Sequence, residues 1–153
     1  MSTLGSTRGF VCYSHRDKRC VDRLLVHLAP LRKTHAFDIW SDHLLKPGAE
    51  WRKEIERSLS TCTIAIVIVS ADFFSSKFIQ DVELPTLLER AKSTGIRIIP
   101  LVAGPCDFKA TELAKYQTIH DPDEAWTEMV NYRQERLLAQ LAEEIRTSLE
   151  TPR

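Results

Sequence analysis

The sequence predicts one doubly wound α/β domain, a parallel sheet with helices on both faces. Three observations carry that expectation. Short β-branched runs alternate along the chain with stretches whose apolar residues recur at 3.6-residue spacing. One run, Ile64–Val69, is apolar at every position, as a strand covered on both faces must be. The chain's 153 residues, free of repeats and low-complexity segments, suit one hydrophobic core rather than two.

Residues 9–13 read as the first strand and residues 17–32 as the helix after it, with Val21, Leu24, Leu25, Leu28 and Leu31 on one stripe. Residues 36–40 form a short second strand. Lys46-Pro47-Gly48 then marks a loop, and residues 50–59 resume helical spacing through Trp51, Ile55 and Leu59. Ile64–Val69 is the central strand. A helix over residues 76–92 stops near Gly95, and residues 96–103 supply a fourth strand, peripheral or irregular because Pro100 lacks an N–H. Residues 104–115 are mostly loop, 116–119 a weak fifth strand, and 123–149 a long amphipathic helix with Leu137, Leu138, Leu141, Ile145 and Leu149 on its apolar face. Parallel neighbours need right-handed crossovers, so five strands arranged this way give the flavodoxin-like order 2-1-3-4-5. Ligands of such sheets bind beyond the carboxyl ends of the strands, where the order reverses. The loops after Tyr13, Trp40 and Ser70 therefore rank first as sites.

Lys plus Arg equal Asp plus Glu at 21 each, so no overall field selects nucleic acid, a membrane surface or an acidic ligand. Residues 1–9 lack an apolar targeting core, and no run approaches the roughly 20 apolar residues of a membrane span, which points to a cytoplasmic protein. Cys12, Cys20, Cys62 and Cys106 have neither Cys-x-x-Cys spacing nor a regular framework, so buried free thiols are expected in place of a zinc or disulfide site. For Cys20, beside Val21 on the first helix, partial exposure is the alternative to burial, and no function is assigned to it. The expected organisation is a disordered segment over residues 1–8, the domain over 9–149 and a tail over 150–153.

The first βα turn, Tyr13-Ser14-His15-Arg16-Asp17, lacks the glycines of a dinucleotide fold, and no P-loop occurs anywhere. It offers a hydroxyl, an imidazole and a guanidinium beside a helix N-terminus, either a cradle for phosphate or ribose or, for Ser14, simply an N-cap. In the second loop, Leu44 and Leu45 are poorly placed for burial and suggest a contact surface. Trp51 serves either the core or as a stacking platform for a planar base. After the central strand, Pro85 falls inside the expected helix, where it removes the hydrogen bond to the Asp81 carbonyl and disturbs the backbone beside Glu83. Glu83 is then either a solvated helical carboxylate or a catalytic one.

Three segments together, Gly9-Phe10-Val11-Cys12-Tyr13-Ser14-His15, Leu45-Lys46-Pro47-Gly48, and Ser70-Ala71-Asp72-Phe73 with Phe78-Ile79-Gln80-Asp81-Val82-Glu83-Leu84, resemble in order and spacing the first-strand signature, BB loop and catalytic-helix segment of bacterial TIR (Toll/interleukin-1 receptor) domains. The resemblance covers about residues 9–145 and implies the same α/β fold. It also implies an NAD⁺ nucleosidase (NADase), a hydrolase yielding ADP-ribose or a cyclase yielding a cyclic isomer, with Glu83 catalytic and NAD⁺ a substrate rather than a cofactor. Tyr13, Ser14, Asp42, Trp51 and Phe78 are implied around the substrate, and Leu44, Leu45, Lys46, Pro47 and Gly48 at a BB-loop interface. One departure is that relatives often carry an acidic residue directly after the second strand, where this chain has Ser41 and then Asp42.

No metal is expected, because nicotinamide is already a cationic leaving group and a carboxylate suffices to stabilise the oxocarbenium-like transition state. The implied partners are other TIR domains, in a dimer or filament, and a sensor or effector protein, with antiphage defence as the implied setting. A non-enzymatic interaction module working through residues 41–48 is the main rival, and deoxyribosyl transfer on a similar frame a third reading.

Overall fold

Side-chain alternation decides how the sheet is covered. In β3 (Ile64–Val69) all six residues are buried. Ile64, Ile66 and Ile68 enter one apolar cluster, and Ala65, Val67 and Val69 enter the other, because successive side chains leave opposite faces of the pleat. β1 (Arg8–Cys12) runs parallel to it, with Phe10 opposite Ala65 and Cys12 opposite Val67. β2 (Asp38–Trp40) lies outside β1 and β4 (Arg97–Val102) outside β3, both parallel, in the order β2-β1-β3-β4. This computed structural model describes residues 7–35, 37–41 and 50–150.

The stripe read from the sequence puts Val21, Leu24, Leu28 and Leu31 of α1 (Lys18–Thr34) into the core, with Leu25 at its margin. α5 (Asn131–Glu150) packs beside α1 through Leu137, Leu138, Leu141 and Ile145. The two helices are also clamped at their rims. Arg23 reaches both oxygens of Glu135, at 3.1 and 2.6 Å, and His27 reaches the same carboxylate at 3.1 Å. Those contacts, Arg23 foremost, draw the Glu135 carboxyl down to about 2. The opposite face is covered by α2 (Trp51–Thr61), α3 (Ala71–Ser75) and α4 (Leu84–Ser93) through Ile55, Leu59, Phe73, Leu84, Leu87 and Leu88. In β1 a Cβ on Gly9 would stand 2.6 Å from Cζ of the buried Phe37, so only glycine lets that ring close on the strand.

Two sequence expectations are corrected, and a third point left open is decided. Among the described residues there is no fifth strand: 116–119 is irregular, and the sheet ends at β4. Arg97 donates its N–H to Thr63, just before β3, and Ala103 to Val69 at its end, so the alternate residues Ile98, Pro100 and Val102 present their backbone to the outer edge. Pro100 has no donor there, and the Val102 N–H is taken by the imidazole of His120 at 3.1 Å. The edge is thus closed by a side chain, and the peripheral reading of β4 from Pro100 is the one the fold follows.

The second correction is that α5 begins at Asn131 rather than near residue 123. Ahead of it a 3-10 turn, Trp126–Glu128, plunges the indole into the core. There its N–H donates to the Gln134 carbonyl at 3.2 Å, while the Gln134 amide donates back to the Trp126 carbonyl at 2.9 Å. The third concerns Cys20, which is buried at 2% exposure, with its thiol pushed up to about 12 chiefly by that burial. Cys12 and Cys62 are buried as well, and Cys106 half-buried.

A candidate active site beyond the strand ends

The helix after β3 is where sequence and geometry meet. Ile79–Glu83 forms a π turn, closed by Leu84 N–H donating to the Ile79 carbonyl five residues back, before α4 continues from Leu84. Pro85 accounts for the widening: its ring crowds the carbonyl four residues back and it has no N–H to give. The next hydroxyl, on Thr86, donates instead to the Val82 carbonyl at 2.9 Å. The disturbance expected beside Glu83 is therefore a π bulge, a feature frequent at functional sites.

Among the described residues Glu83 is the only buried acidic side chain, at 8% exposure. Its Oε1 accepts from the thiol of Cys12, 71 residues earlier, at 3.1 Å. Asp81, on the same turn, points outward and pairs with Lys77 at 2.9 Å. The two acids of that segment thus separate into one surface group and one inward group.

Cys12, the partner of Glu83, is the last residue of β1, and the loop that follows it meets the loop after β3. Ser70, after β3, caps α3 by accepting from Phe73 N–H at 3.1 Å and donates its own proton to Asp17 at 2.5 Å. That pair ties the loop after β3 to the turn after β1. In that turn Ser14 accepts from Arg16 N–H at 3.3 Å, which is the N-cap reading, while buried Tyr13 meets His15 edge-on at 6.1 Å. Trp51 opens α2 but does not enter the core. It is 49% exposed and packs edge-on against Phe78 at 5.7 Å, with Arg52 over the Phe78 ring at 5.7 Å.

The core alternative for Trp51 is therefore not the one the fold follows. An apolar groove of about 360 Å³ is lined by Phe74 of α3, by Leu84, Pro85 and Leu88 of α4, and by Leu113. Asp42, Leu44, Leu45, Lys46, Pro47 and Gly48 lie outside the described residues. Cys12 and Asp17 are the site residues that the sequence reading left without a role. The period-two face of β1, which carries Cys12 with Phe10 toward the Glu83 helix, was the available signal.

A doubly wound parallel sheet, with polar groups gathered where its strand order reverses, defines a class of α/β domain that binds ligands beyond its strand ends. Within that class the chain belongs to the TIR domain family, whose model matches residues 10–142. Among solved structures it is similar to the TIR domain of the Toll-related receptor TRR-2 from Hydra magnipapillata. That likeness has a TM-score of 0.53 at 22% identity, over 90% of this chain and 97% of that one, and it bears on the fold alone. Among curated proteins it is 28% identical over 110 residues to "Uncharacterized protein y4lF" of Sinorhizobium fredii (strain NBRC 101917 / NGR234), covering 72% of this chain. The chain spans about a third, 34%, of that protein's length. Among the described residues no helix is long and apolar enough to cross a membrane, and no three His, Cys, Asp or Glu side chains are grouped to hold a metal.

Proposed function

We propose that this TIR domain is an NAD⁺ nucleosidase in which Glu83 is the catalytic carboxylate. The observation that carries the reading is the burial of this one acid on a π turn, its Oε1 3.1 Å from the thiol of Cys12 at the carboxyl end of β1. A carboxylate held out of bulk water interacts strongly with positive charge that develops beside it. Cleavage of the nicotinamide–ribose bond develops such charge on the anomeric carbon: the bonding pair leaves with nicotinamide, and the ribosyl cation is stabilised by Glu83. Water then adds to that carbon and releases a proton, giving ADP-ribose; alternatively the adenine of the same molecule closes a ring. The exposed Trp51 with Phe78 supplies an aromatic surface for a planar base, and Tyr13 and Ser14 supply polar groups to the ribose and phosphates. Self-association of TIR domains completes and activates the crevice, with an NAD⁺-depleting or signalling role in antiphage defence.

The test is nicotinamide release from NAD⁺ by the purified chain, free in solution and concentrated on beads, with Glu83→Ala and Glu83→Gln as comparisons. Loss of a preorganised charge of this kind costs about 10²–10³ in rate, so release is expected to fall by at least that factor in both variants while the melting temperature shows a folded chain. Release that persists without the carboxylate overturns the assignment of Glu83. A folded wild-type chain that is silent in both formats favours a module that only pairs with other TIR domains.

A further inference from the structure

We propose that Cys12 is the positioning residue of Glu83, its buried thiol donating to the carboxylate, fixing its orientation at the end of β1 and setting its acidity. The proposal deepens the nucleosidase reading and rests on it for its catalytic consequence; the contact itself is measurable without it. Cys12 closes an interior strand, hydrogen-bonded to β2 on one side and β3 on the other, with Cys12 itself opposite Val67. Its backbone is therefore among the least movable in the molecule. The side chain is fully buried and shares its face of the sheet with Phe10, Val67 and Ile79. Glu83 arrives from a π turn, a backbone that leaves more freedom than a regular helix, and its Oε1 lies 3.1 Å from the Cys12 sulfur. A rigid strand end thus holds a side chain carried by an irregular one.

The direction of the hydrogen bond follows from charge. A thiolate beside a buried carboxylate is repelled, so the sulfur keeps its proton and donates it. A thiol is a weaker donor than a hydroxyl. It fixes the carboxylate's direction while leaving its oxygens more basic than a serine would, which suits a group meant to meet a developing cation. Cys62 makes the contrast: its thiol donates to the Leu59 carbonyl at 3.8 Å and faces the Arg90 guanidinium. Among the described residues, the titratable and charged groups in the turn beyond β1 are Tyr13, His15, Arg16 and Asp17, that on α3 is Asp72, Arg52 of α2 lies over the Phe78 ring, and Lys77 and Asp81 on the helix of Glu83 pair with each other. None of these residues is changed in the experiment, so they act as a constant background.

The experiment follows the Glu83 carboxyl carbon by ¹³C NMR through an acid titration of the wild-type, Cys12→Ala and Cys12→Ser chains, with Glu83→Gln assigning the resonance. Nicotinamide release is measured across pH on the same proteins. Removing the donor in Cys12→Ala is expected to raise the midpoint by about half to one pH unit, and the stronger hydroxyl donor of Cys12→Ser to bring it below wild type. The acidic limb of the rate profile moves with it, and kcat falls in Cys12→Ala more than KM changes. A midpoint that Cys12→Ala leaves unmoved, or that Cys12→Ser does not lower, overturns the proposal. Should the alanine chain unfold, the serine chain decides alone. A titration that behaves as expected while no protein releases nicotinamide removes the nucleosidase reading and leaves the contact standing; an active enzyme with an unmoved midpoint does the reverse.

Discussion

Asp17 and Ser70 meet across the crest of the sheet, the hydroxyl donating to Oδ2 at 2.5 Å. Burial raises the Asp17 carboxyl above its ordinary range; the Ser70 hydrogen bond opposes that shift and nearby Asp72 adds to it. Because the folded chain holds this proton more tightly than the unfolded one, stability contributed at low pH is lost as pH rises from about 3.8 through the folded midpoint, and the deficit persists at neutrality. Asp17→Asn keeps an acceptor for Ser70 and removes the charge. It is expected to melt higher than wild type at pH 7, with the advantage disappearing below the ordinary aspartate midpoint. Calorimetry at several pH values checks this; an equal or lower melting temperature at pH 7 shows that the charge is not a burden there. Glu83 belongs to the same scale. Its candidacy was legible from its place after the central strand and from Pro85, whereas its burial was not, since a helical glutamate is ordinarily solvated.

At the scale of elements, β4 illustrates how a strand edge is ended. Pro100 withholds one donor and His120 Nε2 accepts another, from Val102. That acceptor role needs a neutral ring, and burial pushes the imidazole below its ordinary range. For a base with a depressed folded midpoint the stability is complete above the ordinary histidine value, 6.5, and declines as pH falls below it, because the unfolded chain takes up the proton first. The wild-type chain is expected to lose melting temperature between pH 6.5 and 5 more steeply than His120→Gln, which keeps an acceptor without titrating. Parallel slopes for the two proteins would place the acid sensitivity elsewhere. The sequence signal for 116–119 as a strand, an aromatic and two β-branched residues in a short run, describes a fit to a pleated surface and not a partner to pair with. Residues 123–130 misled for a related reason. Their helical spacing runs into α5, but Trp126 is drawn out of register by its own burial and its reciprocal bonds with Gln134.

For the whole molecule, 21 basic against 21 acidic residues leave no long-range field to gather an anionic dinucleotide, so the proposed recognition of NAD⁺ rests on local contacts. If neighbouring TIR domains complete that crevice, as proposed, nicotinamide released per chain rises with chain concentration. Assays over a hundredfold range of protein, at fixed NAD⁺, are expected to give a specific activity that climbs and then levels. A constant value would mean that one chain carries a complete site.

The sequence by itself determined the layered α/β class, the four strands that pair, and the stripes that seat α1 and α5. Each of these follows from period and from the length of the apolar runs, which are local properties of the chain. Only the tertiary structure decided which of two nearby acids turned inward, that Trp51 stayed at the surface while Cys20 did not, and that the thiol of Cys12 meets a carboxylate 71 residues away. Those outcomes depend on the π turn before Pro85 and on a face of β1 meeting a helix distant in sequence, and no local pattern encodes the distance between them.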